Sequence, residues 1–347
     1  MRVERVTPGR RAPGRLTGAV LARDLTVGGR RWSKGRRLSA DDLLALASAD
    51  PGPPVTVIVI EAGELHEDDA ALRLARAVAG PGLDVRGPNQ SRIDLIAVAP
   101  GVVNVRISEL ERVNRIDPLE VFTVYDGQIV EKGDLVASIK VAPHVVDAAV
   151  VDEGARQASF GGQPLVWVAA FHPRRVGVVV KQSVRGTARE RFETSVRAKV
   201  ESLGSKILDI VYVDDDPDAV EGVVGRFVRG ADTADLILTA GSASTDPNDA
   251  FFLAIEALGG RVVRHGVPSH PGSMLWLARV GSTAILGLPT CGAYSKATAA
   301  DLLLPRLLSG DPPSEKTVAR LGHGGILTRS QRFRFPPYAR ELDAPDG

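Results

Sequence analysis

The chain has 347 residues, 44% hydrophobic and 24% charged, with a formal net charge of +1; this is ordinary globular composition, long enough for two or three domains, and it excludes collagen-like structure and wholesale disorder. No run approaches the ~20 apolar residues of a membrane helix, and the N-terminus lacks the apolar core of a secretory signal. The one cysteine, Cys291, can form neither an internal disulfide nor a Cys-based zinc site, so the expected location is the cytoplasm.

Residues 1–40 carry eleven basic side chains against Glu4 and Asp24. With Trp32 as their only aromatic, they offer no stacking platform for nucleic acid and read as a solvated surface. Ser39 with Asp42 three residues on predicts a capped helix start. Val55–Ile60 is β-branched and reads as a buried strand. The run from Glu61 to Asp69 opens a helix through Ala70–Ala79, which the glycines at 80 and 82 end; His66 among its acids reads either as a metal cluster or as an acidic first turn. These elements make residues 1–88 an N-terminal α+β segment.

Residues 89–171 read as a small β-rich module, with a hairpin expected across Phe122–Glu131 about the turn Asp126-Gly127. From 172 to 312, strand and helix patterns alternate. Strands are expected at Val176–Val180, Ile207–Val213, Ala234–Thr239 and Arg261–His265, and as a hairpin over Met274–Leu288. Helices are expected over 189–203, 217–228, 249–258 and 297–308. Such repeats predict an α/β domain, a doubly wound, mostly parallel sheet with helices on both faces, able to fold alone. Residues 313–347 are left as a C-terminal tail. Ligands of such sheets bind beyond the carboxyl ends of the strands, which selects the loops 181–188, 240–249 and 289–296.

Thr239, Gly241, Ser242 and Ser244 combine hydroxyls with a glycine before a helix start, the parts of a phosphate cradle, and Asp246 and Asp249 are carboxylates that suit Mg²⁺. A Ser/Thr/Asp-rich capping loop has the same composition. No GxGxxG or GxxxxGK[ST] occurs. Cys291 in Gly287-Leu288-Pro289-Thr290-Cys291 reads as a nucleophile or as an inert thiol with no histidine near it in sequence. His265 and His270 lack a third metal ligand at usable spacing.

Three motifs in order, TAGSASTDPND (239–249), EALGGRVVRHGVPSHPGSM (256–274) and GLPTCGAYS (287–295), resemble the glycine-rich, "PG" and "GLPGNP" loops of the molybdopterin-binding domain shared by molybdopterin adenylyltransferases and molybdenumtransferases. GELHEDDAALRLARAVAG (63–80), KGDLVA (132–137) and LGHGG (321–325) extend the likeness towards stand-alone molybdopterin-binding proteins. The pattern departs at Lys181-Gln182-Ser183-Val184, where the family reads TG, a small polar residue and Glu. It departs again at Ala240, at Ser273 in place of a lysine, and at Thr290-Cys291-Gly292.

The resemblance implies a protein of molybdenum cofactor biosynthesis, either a transferase using Mg²⁺ with ATP or molybdate, or a non-catalytic carrier or sensor for a molybdoenzyme. It implies a homo-oligomer that meets molybdoenzymes or other cofactor-biosynthesis proteins. Ser183, Thr239, Gly241, Ser242, Ser244, Pro271, Gly272, Ser273, Gly287, Pro289, Thr290 and Cys291 would line the pterin and its phosphate; Asp246 and Asp249 would hold the metal and be catalytic.

Overall fold

The computed structural model describes residues 1–89, 91–181, 187–289 and 297–340. The chain divides into two compact units: residues 1–98, 104–126 and 132–168 in the first, and 99–103, 127–131 and 169–347 in the second. No unit boundary falls at residue 88, because the strands Leu83–Asn89 and Arg92–Ala97 pair with each other across it, whereas the change of unit at 168–169 lies close to the sequence boundary at 171.

In the first unit, Arg2–Val6 and Val20–Leu21 flank Val55–Val59 in an antiparallel sheet. Val6, Leu21, Leu46 and Val57 are buried together beneath it. The helix Ala40–Ala47 starts with the expected capping box between Ser39 and Asp42. Part of the basic stretch is ion-paired: Arg15 with Glu4, Arg31 with Asp24, Arg36 with Asp42, and Arg37 with Asp69.

A second sheet takes the order Leu119–Thr123, Leu135–Val141, Arg92–Ala97, Leu83–Asn89, with the helix Glu67–Val78 packed against its middle strands. His66 caps that helix: its Nδ1 accepts the Asp68 N–H while Nε2 meets the Gly35 carbonyl oxygen, so neither ring nitrogen is spare for a metal. The hairpin expected across Phe122–Glu131 does not form. Leu119–Thr123 pairs with Leu135–Val141 instead, and Ile129–Val130 pairs with Gly101–Val102. Asp126 is diverted from hairpin-turn duty, because its Oδ1 accepts the Val105 N–H.

The second unit is mixed α/β around a six-stranded, mostly parallel sheet. Its strands are β1 (Arg175–Lys181), β2 (Lys206–Val213), β3 (Leu236–Ala240), β4 (Arg261–His265), β5 (Trp276–Val280) and β6 (Thr283–Gly287), in the order β2-β1-β3-β6-β5-β4. β2, β1, β3 and β6 run parallel, and β5 and β4 complete the edge antiparallel. Its helices are α1 (Thr187–Glu201), α2 (Pro217–Arg229), α3 (Ala250–Ala257) and α4 (Ala299–Ser309).

The central strands β1 and β3 read as near-continuous apolar runs, as strands covered on both faces must. Val178, Val180 and Leu238 pack with Phe192 and Val196 of α1 and Leu303 of α4. Val179 and Ile237 pack with Phe227 of α2 and Phe251 of α3. Gly177 permits the close seat of α2: a Cβ there would lie 2.8 Å from the Phe227 ring.

Residues 313–340 are structured rather than a free tail. Leu327, Phe335 and Ala339 bury against Ala297 and Leu302. Tyr338 donates from its hydroxyl to Asp301 Oδ1 at 3.2 Å, and the buried Asp301 also pairs with the buried Lys199 of α1. Burial first, then the Asp301 charge, pushes the Tyr338 pKa well above that of ordinary tyrosine. Among the described residues no helix is long and apolar enough to cross a membrane.

Candidate functional site

The sheet directs its chemistry to one end. β1 ends at Lys181, β3 at Ala240 and β6 at Gly287, and all three point the same way. The loop after β3 turns at Gly241, whose φ of +88° lies in the left-handed region. It then closes through Asp246 N–H donating to the Ala243 carbonyl and Asp249 N–H to the Asp246 carbonyl. Asp249 is the N-cap of α3, its Oδ1 accepting the Phe251 N–H at 3.0 Å, so the capping part of the sequence reading holds.

The same carboxylate does more. Its Oδ2 accepts the Ala243 N–H at 2.6 Å and the Lys181 ammonium at 2.8 Å. Lys181 Nζ also donates to Asp215 Oδ1 at 2.7 Å, in the loop before α2. Burial works against the charge on Lys181, but the hydrogen bonds to Asp215 and Asp249 outweigh it and hold its pKa above the usual lysine range.

A cavity of about 310 Å³ opens beside this loop. Ser242 and Ser244 line it from the loop after β3, Gly272 and Ser273 from the "PG" loop, and Pro289 from the loop after β6. Three segments separated in sequence thus supply one wall each. His270, Met274, Trp276 and Leu288 complete the lining; none of these was a site residue in the sequence reading. Trp276 is fixed by donating from Nε1 to Ser242 Oγ at 3.2 Å and by an edge-on contact with Phe252, ring centroids 5.1 Å apart. His265 packs on Phe252 at 5.3 Å, and its Nε2 meets the Ser244 carbonyl oxygen, so it steadies the loop.

The remaining expected residues are placed differently. Thr239, fully buried at the end of β3, has a side-chain oxygen with no hydrogen-bond partner among the described residues. Pro271 is buried, and its carbonyl accepts the Ala299 N–H, tying the "PG" loop to α4. Gly287 faces Trp276 rather than the cavity. Asp246 is exposed, its Oδ1 accepting the Asn248 N–H. Ser183, Thr290 and Cys291 lie outside the described residues. Among the described residues no three His, Cys, Asp or Glu side chains are grouped to hold a metal ion.

Lys181 and Trp276 are the most consequential of the residues that sequence reasoning missed. Lys181 carried a signal, as a charged residue ending an otherwise apolar strand. Trp276 carried one too, as the single tryptophan of the second unit. A cavity of this size, with hydroxyls on one side and an indole, a leucine and a proline on the other, suits a small ligand with a flat ring and a polar end. In open α/β sheets, a loop-built pocket beyond the carboxyl ends of the strands is where ligands bind.

Residues 175–309 match the family model described as a probable molybdopterin binding domain. No curated protein sequence matches the chain. Among solved structures, the chain is similar to the molybdopterin biosynthesis moea protein from Pyrococcus horikosii, with 13% identity over 75% of this chain and 81% of that one, TM-score 0.31. It is similar to a molybdenum cofactor biosynthesis protein B, with 16% identity over 44% of this chain and 94% of that one, TM-score 0.30. It is also similar to the molybdopterin biosynthesis enzyme MoaB from Thermus thermophilus, with 23% identity over 40% of this chain and 98% of that one, TM-score 0.29.

Proposed function

We propose that the second unit binds molybdopterin in the cavity between the loops after β3 and β6 and the "PG" loop, and that the protein serves molybdenum cofactor biosynthesis. The observation that carries this reading is the convergence of Ser242, Ser244, Gly272, Ser273 and Pro289, drawn from three separate family-like motifs, on one cavity inside the matched domain. The hydroxyls and backbone amides of the β3 loop would hold the phosphate end. Trp276 and Leu288 would flank the ring system, and the unpartnered Thr239 hydroxyl is a buried polar group that a ligand or water would satisfy.

In the catalytic form of this reading, ATP or molybdate is a co-substrate, and a bound Mg²⁺ would offset phosphoryl charge. Asp246, exposed and with one oxygen engaged by Asn248, is the carboxylate left to hold it. The chain's own residues would orient the ligand: Ser242 is itself anchored by the Trp276 indole, and Gly241 lets the backbone come close.

A second reading, a carrier or sensor that stores or delivers the cofactor, is favoured by Asp249, whose carboxylate is committed to the loop and to Lys181. Mass spectrometry of the full-length protein purified from a cofactor-producing host tests the common claim. A co-purifying molybdopterin mass is expected; a protein that emerges empty and takes up none when it is added refutes it. Mg²⁺-dependent ATP turnover in the presence of molybdopterin separates the catalytic form from the carrier.

A further inference from the structure

The expectation of a divalent metal at Asp249 meets a donor set that is already complete. The Asp249 side chain is wholly buried, and three donors converge on its two oxygens: the Phe251 and Ala243 amides and the Lys181 ammonium. The Lys181 side chain is only 4% exposed, and Nζ also lies 5.5 Å from the centre of the Phe251 ring. This one ammonium joins the end of β1, the loop after β2 through Asp215, and the loop after β3 through Asp249. Bridging carboxylates from separate loops is the structural duty that a divalent ion performs in oxygen-ligated sites. A dication placed on Asp249 would stand within a few ångströms of Lys181 Nζ, and like-charge repulsion, poorly screened in a buried setting, opposes that. The residues present do not fit a metal at Asp249.

We propose that Lys181 is a built-in cation of the loop after β3: it occupies the position a divalent ion would need at Asp249, and the loop holds its anionic ligand without one. The identity of that ligand as the phosphate end of molybdopterin rests on the function proposed above; the role of Lys181 at Asp249 does not. Lys181 is a positioning residue, acting on the ligand through the loop that it pins. Thr239 adds an independent sign of a ligand on the same face: it stands opposite Val179 in the β1–β3 register, two residues before Lys181, and its buried hydroxyl is unpartnered among the described residues.

The test has two arms on the full-length protein. In the first, Mn²⁺ is titrated by electron paramagnetic resonance into the wild type, Lys181→Met and Asp249→Asn. The wild type is expected to show no Mn²⁺ site that Asp249→Asn removes, and Lys181→Met, with Asp215 and Asp249 freed, to bind Mn²⁺ at least about tenfold more tightly than the wild type. Wild-type Mn²⁺ binding that Asp249→Asn abolishes overturns the proposal, and this result needs no folded Lys181 variant. In the second arm, molybdopterin is titrated into the wild type with excess chelator and with excess Mg²⁺. Affinities within about twofold of each other support the proposal, and a loss of about tenfold or more in chelator overturns it. If molybdopterin binds in neither condition, the pterin reading fails and the Mn²⁺ arm alone decides the role of Lys181.

Discussion

Trp276 and Gly287 stand directly opposite each other on the antiparallel strands β5 and β6, so close that a Cβ on Gly287 would lie 2.1 Å from the indole. The glycine is therefore part of the pocket at one remove: its missing side chain is the space into which Trp276 settles, with Nε1 turned to Ser242.

Gly287→Ala is expected to displace the indole and to cost about 1–3 kcal/mol through overpacking. The denaturant midpoint and the tryptophan emission maximum, read in a Trp32→Phe, Trp167→Phe background so that Trp276 alone emits, should shift together. An unchanged emission spectrum would show that the indole does not depend on this glycine.

Gly241→Leu should block backbone approach to the loop, and it should also cost stability, because a β-carbon at a φ of +88° is strained by about 1–3 kcal/mol. A fall in Tm alongside lost molybdopterin binding is the predicted pair of results.

Removing Lys181 leaves the Asp249 carboxylate buried without its counter-charge, so Lys181→Met should lose about 3–5 kcal/mol. Adding Asp249→Asn to it should cost less than the two single losses summed, since both changes break one pair. The pH dependence follows from the raised Lys181 pKa. The folded state holds this proton more tightly than the unfolded chain, so the contribution is complete below the ordinary value of 10.5 and is lost as pH rises through the raised one. Wild type and Lys181→Met should therefore differ by a constant amount near neutrality and converge only in strongly alkaline solution, read by denaturant melts across pH.

Ending the chain at residue 312 removes Leu327, Phe335 and Tyr338, with their cover over Leu302 and the hydrogen bond to Asp301. At about 1.5–3 kcal/mol for each large apolar side chain re-exposed, the truncated protein should be destabilised by about 3 kcal/mol or more. An unchanged Tm would make the segment dispensable and restore the sequence boundary.

The βα pattern of the second unit was legible because each of its signals is local. Asp216 before Pro217 and Asp249 before its helix cap where their spacing says they should, as Ser39 and Asp42 do in the first unit. Asp126-Gly127 misled because turn chemistry permits a hairpin without choosing partners; the partner of Leu119–Thr123 is a strand farther along the chain. Lys181 was read as a departure from a pattern, since nothing in the order of residues shows that Asp249, 68 positions on, lies against it. Trp276 was passed over for the same reason, because its two neighbours, Ser242 and Gly287, meet it only once the sheet is built.

The central claim, that one cavity walled by three loops holds the pterin, is tested most directly by equilibrium binding of molybdopterin to the full-length wild type, Ser244→Asp and Ser273→Asp. The two serines line the cavity from different loops, and a carboxylate at either would repel a phosphate-bearing ligand. The account predicts measurable binding by the wild type and a loss of about tenfold or more in each variant at unchanged Tm. Equal affinity in all three proteins, or no binding by the wild type, would contradict it.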